Sequence, residues 1–263
     1  MSDQTLPPRF QPQAAERRRP SGRRPLREQL SQAARIAEMM MGLPAGRASD
    51  FLPDRGEALR LGVSASLSCG RLRALLRTYR TAAPQVALSL AALPCDEVTR
   101  RIKTGELDVG VLSRHAPSRL LEVEPLWSEA LFVVLPATHA LARENAVDPA
   151  LLAGQTLLTS RFDLDEPERL LGEAVASAPT LPLHPVEADR ETLFNMVALG
   201  FGVAITSASA LGAYYPGVVY RPLLRCDNAV RYAAIWRDDN RHAALADFVR
   251  TARAMAERPE ILR

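Results

Sequence analysis

Apolar positions along the chain recur at two periods, and the switches between them lay out its elements. LRLGVSAS from Leu59 reads as a short buried strand running into a loop of small residues. In GRLRALLRTYRTAAP the period becomes helical, with Leu72, Leu75, Leu76 and Tyr79 on one face and Pro84 as the stop. A strand at 87 to 93, a helix from Asp96 with an acidic first turn, and a strand at 107 to 113 follow. Strand, helix, strand, helix, strand at this spacing predicts a parallel sheet covered by helices. LFVVLPATHALA then leads out of this unit, and the alternation restarts: VDPALLAGQ as a short helix, LLTSRF as a strand, DEPERLLGEAVASA as a helix, HPVEA as a strand, ETLFNMVALG as a helix and FGVAITS as a strand. The last strand, VRYAAIWR, and the last helix, RHAALADFVRTARAMAE, have no third unit to found and are assigned back to the first. The chain is therefore expected to cross between two units near Pro136 and near Pro222, with a cleft between them.

Ahead of this lies a different text. LREQLSQAARIAEMMMGL places Leu30, Ala34, Ile36, Met40 and Leu43 near one stripe, with Pro25 suited to a first helical turn. Such a helix buries its stripe on the main body or pairs with a second copy of itself, and pairing is preferred. The expected divisions are a basic, Pro- and Arg-rich disordered tail at 1–25, the helix at 26–43, a loop at 44–58, a first lobe from 59–136 plus 222–256, a second lobe at 137–221, and a short tail at 257–263.

Charge changes the picture only locally. The 263 residues carry a formal net charge of +3, yet residues 1 to 30 hold seven arginines against three acids, so the remainder is close to neutral. That tail suits weak, salt-sensitive contact with a polyanion and equally a solubilising leader. The three cysteines, Cys69, Cys95 and Cys226, form no CxxC pair, which indicates neither a disulfide framework nor a thiolate zinc site. No apolar run approaches the roughly 20 residues of a membrane span and no secretory leader opens the chain, so a cytoplasmic location without membrane contact is expected.

Candidate chemistry lies at the strand ends. His115, His139, His184 and His242 are scattered, and no nucleophile elbow, phosphate-loop lysine or dinucleotide fingerprint occurs, so neither metal nor cofactor is expected. In open α/β sheets ligands gather at the carboxyl ends of parallel strands. The loops there hold Ser64, Ser66, Leu67 and Ser68, then Pro94, Cys95 and Asp96, then Ser113 and Arg114. From the second unit come Ser160, Arg161 and Phe162, then Phe201, Gly202 and Val203, and finally Thr206 and Ser207. Hydroxyls and amides fix a small anion, and Arg114 or Arg161 can clamp a carboxylate. The same residues allow structural readings: the serines as caps of the helix near Gly70, Phe201 as core, and Arg161 paired with Asp163 or Asp165.

Taken in order, LRLGVSAS, RRIKTGELDVGVL, LFVVLPATHALA, ETLFNMVALGFGVAITSASA, GVVYRPL and AAIWRDD resemble the effector-binding domain of LysR-type transcriptional regulators, over about residues 59 to 256. The resemblance implies a two-lobed, periplasmic-binding-protein-like (type 2) α/β fold, each lobe a mostly parallel sheet flanked by helices. It implies a non-enzymatic sensor of a small organic anion, bound by the strand-end loops and acting by lobe closure and oligomer rearrangement. Homodimers or homotetramers are implied as well. Regulators of this kind begin with a winged helix-turn-helix of roughly 60 residues, which 1–25 is too short and Pro-rich to hold, so DNA contact is expected only through a partner or weakly through the arginine-rich tail. A heteromer with an intact regulator fits the retained linker-like helix. The two other readings are a stand-alone cytoplasmic solute-binding protein and an enzyme using Cys69, Cys95 or Asp96.

Overall fold

The computed structural model describes residues 58–257 except 178 and 228. The helix expected at 26–43, with its stripe of Leu30, Ala34, Ile36, Met40 and Leu43, lies outside the described residues, as does the tail at 1–25.

The first lobe opens with the expected alternation: β1 (Ala58–Val63), α1 (Gly70–Ala82), β2 (Ala87–Ala92), α2 (Cys95–Lys103) and β3 (Val109–Leu112). β1 lies between β2 and β3 and is parallel to both. Gly62 and Gly110 face each other in register. A Cβ at Gly62 or Gly110 would stand 2.5 or 2.7 Å from the Val98 side chain, so the two glycines are what let α2 settle onto the sheet.

Two further strands, β4 (Leu121–Glu129) and β10 (Val230–Arg237), extend the sheet with antiparallel pairing in the order β2-β1-β3-β10-β4. β4 gives no clear strand signal in sequence because LEVEPLWSE carries Pro125. It forms at a sheet edge, where proline is tolerated, and the register shifts beside Pro125 between Tyr232 and Ala233. On one face of the sheet α1 packs with α5 (Ala243–Ala256), where Tyr79 meets Phe248 edge-on at 5.3 Å. α2 covers the other face through Val98 and Ile102, both fully buried.

The second lobe holds β5 (Leu131–Pro136), β6 (Leu157–Thr159), α3 (Pro167–Ala174), β7 (Leu183–Pro185), α4 (Arg190–Ala198), β8 (Ala204–Ser207) and β9 (Val218–Pro222). β5 is flanked by β8 and β9, antiparallel to each, while β6 and β7 pair in parallel and join β8 through the bridge Leu157↔Val203. The first sheet is thus mixed, while in the second lobe an antiparallel trio, β8-β5-β9, stands beside the parallel pair β6-β7.

The first crossing also differs from expectation. LFVVLP was expected to belong to the first lobe, but Leu131–Val134 pair with Ser207–Ala204 and Phe132–Pro136 with Pro222–Val218, so the chain crosses at Ala130, not near Pro136. The return crossing runs from Pro222 to Val230. The crossings are tied together: Leu131 N–H donates to the Cys226 carbonyl at 3.0 Å, and Leu223 N–H to the Leu131 carbonyl at 3.0 Å.

Candidate functional site

The carboxyl ends of β1, β2 and β3 bring three of the expected loops together. Ser64 Oγ accepts hydrogen bonds from Cys95 Sγ at 3.2 Å and from the Ser113 N–H at 3.4 Å, and Cys95 Sγ lies 3.8 Å from Ser113 Oγ. One polar cluster therefore joins three successive strand ends. Burial pushes the Cys95 thiol up, so the group is neutral at physiological pH.

The serines of the first loop are committed differently than a capping role requires. The residue preceding α1, Cys69, makes no side-chain cap, and none of the three serines supplies one. Ser66 accepts from the Ser68 N–H at 3.2 Å and is itself buried. Ser68 donates to the Ser209 carbonyl at 2.7 Å, and the Cys69 N–H to the same carbonyl at 3.2 Å, so this loop is fastened to the second lobe while Leu67 packs against the core. The contact is close enough that a Cβ at Gly212 would stand 2.4 Å from the Ser68 carbonyl oxygen. Gly212→Ala is therefore expected to destabilise by about 1–3 kcal/mol, read from the denaturant midpoint, because neither backbone can yield without moving the loop. A change below about 0.5 kcal/mol would show that the loop gives way freely.

From the second lobe, Ser160 donates to the Ala188 carbonyl and accepts from the Phe162 N–H at 3.2 Å. Arg161 reaches over to both oxygens of Asp96, at 3.0 and 3.1 Å, rather than to Asp163 or Asp165, and stands 6.0 Å from the Phe162 ring. Arg114 reaches the other way, donating to Asp165 Oδ2 at 3.0 and 2.6 Å and lying 3.5 Å from Glu166. Each lobe thus extends one guanidinium to a carboxylate of the other. Asp165 and Glu166 were not among the expected site residues; the acidic run DLDEPE after Arg161 was their visible trace.

Beneath these pairs, Asp163 is buried against Arg190 and accepts from Thr206 Oγ1 at 3.4 Å, and its Oδ2 has no partner among the described residues. Thr206 stands at the carboxyl end of β8. Phe201, Gly202 and Val203 do not: they precede β8, at the end of the strand remote from Thr206, and Phe201 is 61% exposed. Val203 bridges Leu157 of β6 in parallel, and the exposure of Phe201 corrects its reading as core. Gly202 is needed locally, since a Cβ there would come 2.5 Å from the Thr156 carbonyl oxygen.

A cavity of about 280 Å³ opens beside the cluster, with Cys95, Asp96 and Arg114 joined by Thr99, Arg100, Lys103 and His115. His115 Nδ1 is buried without a partner among the described residues. Among the described residues no group of three His, Cys, Asp or Glu is placed to hold a metal ion, and no helix is long and apolar enough to cross a membrane.

Comparison with known proteins agrees with this architecture. The solved structure of CbnR, a LysR family transcriptional regulator, superposes with a TM-score of 0.67 at 20% identity, covering 88% of this chain and 81% of that one. The BenM effector-binding domain with its effector benzoate gives a TM-score of 0.62 at 23% identity, covering 75% and 91%. At these identities the likeness establishes the fold. In sequence, the Hca operon transcriptional activator HcaR of Escherichia coli is 25% identical over 193 residues, 73% of this chain and 65% of that protein. The regulator CbbR of Xanthobacter flavus is 28% identical over 190 residues, 71% of this chain and 56% of that protein. The chain thus spans less than two thirds of the length of these relatives. The family model for the LysR substrate binding domain matches residues 54–257, and the chain belongs to that family.

Proposed function

We propose that this chain is the sensing part of a transcriptional regulator and that it holds a small organic anion between its lobes. The observation that carries the reading is the pair of reciprocal bridges, Arg114 to Asp165 and Arg161 to Asp96, beside the Ser64, Cys95 and Ser113 cluster. Arg161 and Asp96 are both substantially exposed, and a pair of that kind contributes about 0–1 kcal/mol. A carboxylate ligand presenting two oxygens to a guanidinium replaces such a partner at little cost and gains the hydroxyl and amide donors of the strand ends. Exchange of protein carboxylate for ligand carboxylate then changes what holds the lobes together, which is the physical content of ligand-dependent closure. The protein works in the cytoplasm as a homodimer or homotetramer, or in a heteromer with an intact regulator, and reaches DNA through such a partner. It acts as a binding protein; the neutral Cys95 thiol gives no support to a nucleophilic role.

Titration calorimetry with benzoate, aliphatic carboxylates and the neutral analogue benzamide tests this. Wild type is expected to bind at least one carboxylate and not benzamide, and Arg114→Gln and Arg161→Gln to weaken that binding by about 10- to 100-fold, the worth of a charge-assisted hydrogen bond. Equal binding of benzamide, or no carboxylate bound at all, overturns the reading.

A further inference from the structure

A second cavity, of about 410 Å³, adjoins the cluster above at Ser113, and its volume is in the range of small-molecule sites. α3 lines it with Arg169 and Glu173 over Leu170, the return crossing with Arg225 and Asp227, and the start of β10 with Arg231. Ser113, at the end of β3, stands where this cavity meets the cluster. We propose that this cavity is a second ligand site, for a small dianion carrying a phosphomonoester or two carboxylates.

Three guanidiniums converge there against two acids, and they are unequally engaged. Arg169 is held by Glu166 and Glu173, and Arg225 by Asp148 at 3.0 Å, whereas Arg231 has no ion pair among the described residues. Asp148, Glu166 and Glu173 are all at least a third exposed, so a ligand that brings its own charge inside displaces them cheaply. The apolar floor at Leu170 suits the carbon skeleton between two anionic ends.

A second observation points to the same place. Among the described residues only Glu166 and Arg225 adopt a left-handed backbone without being glycine, at φ 51° and 64°. Such a conformation costs about 1–3 kcal/mol and is kept where the surroundings impose it. At Glu166 it sets one carboxylate between two cations, Arg169 at 2.7 Å on the cavity side and Arg114 at 3.5 Å on the cleft side. A dianion that draws Arg169 away leaves Glu166 to Arg114 and so tightens the hold between lobes. This coupling rests on the cleft reading; the site itself does not.

The test is titration of the full chain with succinate and with glycerol 3-phosphate, which separate the two sources of dianion, with acetate as the monoanion control. Saturable binding of at least one dianion, stronger than acetate, is expected in wild type and in Arg161→Gln. Arg231→Gln is expected to weaken it about tenfold or more, and Arg231→Lys to restore part of it. Arg231 is exposed, so its replacement leaves the fold intact, which a thermal melt verifies. Absence of saturable dianion binding, or binding undiminished in Arg231→Gln, overturns the proposal. Benzoate binding in the same samples reads the cleft separately, so failure of one site is distinguishable from failure of the other.

Discussion

Asp163→Ala is expected to lower folding stability by about 3–5 kcal/mol, the cost of leaving a buried charge without its partner. Asp163 is 5% exposed, its only ion partner among the described residues is Arg190 at the start of α4, and Thr206 from β8 donates to the same carboxylate oxygen. Burial works against the charge on Arg190 and Asp163 offsets it, holding the guanidinium above its ordinary value. Without the carboxylate, α4 must either keep a desolvated cation or pull away from the strand-end loop carrying Ser160, Arg161 and Phe162. The double replacement Asp163→Leu with Arg190→Met is expected to recover most of the loss, because it removes both charges together. Urea unfolding of the single and double variants checks this; a loss below about 1 kcal/mol in the single variant would mean that Arg190 swings freely into water.

Phe248→Ala is expected to cost about 3–5 kcal/mol. Phe248 is fully buried on α5, and it packs against Tyr79 of α1, whose hydroxyl donates to the Ala244 carbonyl at 2.9 Å inside the same contact. Truncation leaves a void between two helices and removes the wall that orients the tyrosine. Phe248→Leu keeps most of the volume and is expected to lose less than about 1.5 kcal/mol. Thermal melts of both variants report the difference, and equal losses would show that ring geometry rather than volume sets the contact.

What could be read in advance follows from where the information lies. LRLGV, DVGVL and VRYAAIWR are recognisable because a buried strand writes its own apolar run, and each became a strand within a residue or two of its expected limits. LEVEPLWSE is a strand only because β10 pairs with it, and an apolar run such as LFVVLP says that it is buried without saying in which sheet. In the site, the rule of strand ends located Ser64, Cys95 and Ser113, which the structure joins. The same rule fits Thr206 at the end of β8, whereas Phe201, Gly202 and Val203 precede that strand. The partners of the arginines were out of reach of local reading: Arg161 meets an acid 65 residues away and Arg114 one 51 residues away, while nearer acids in sequence point elsewhere.

The crossings also fix an order of assembly during synthesis. β5 through β9 are contiguous, so the second lobe leaves the ribosome whole, whereas the first lobe waits for β10 and α5. Until then β3, whose four residues are all buried in the finished protein, presents a bare apolar edge to any strand that passes. Such an edge recruits other chains as readily as its own missing neighbour. A slow or interrupted passage through the segment that carries β10 and α5 therefore leaves this protein exposed to aggregation, and rapid arrival of VRYAAIWR is what ends it.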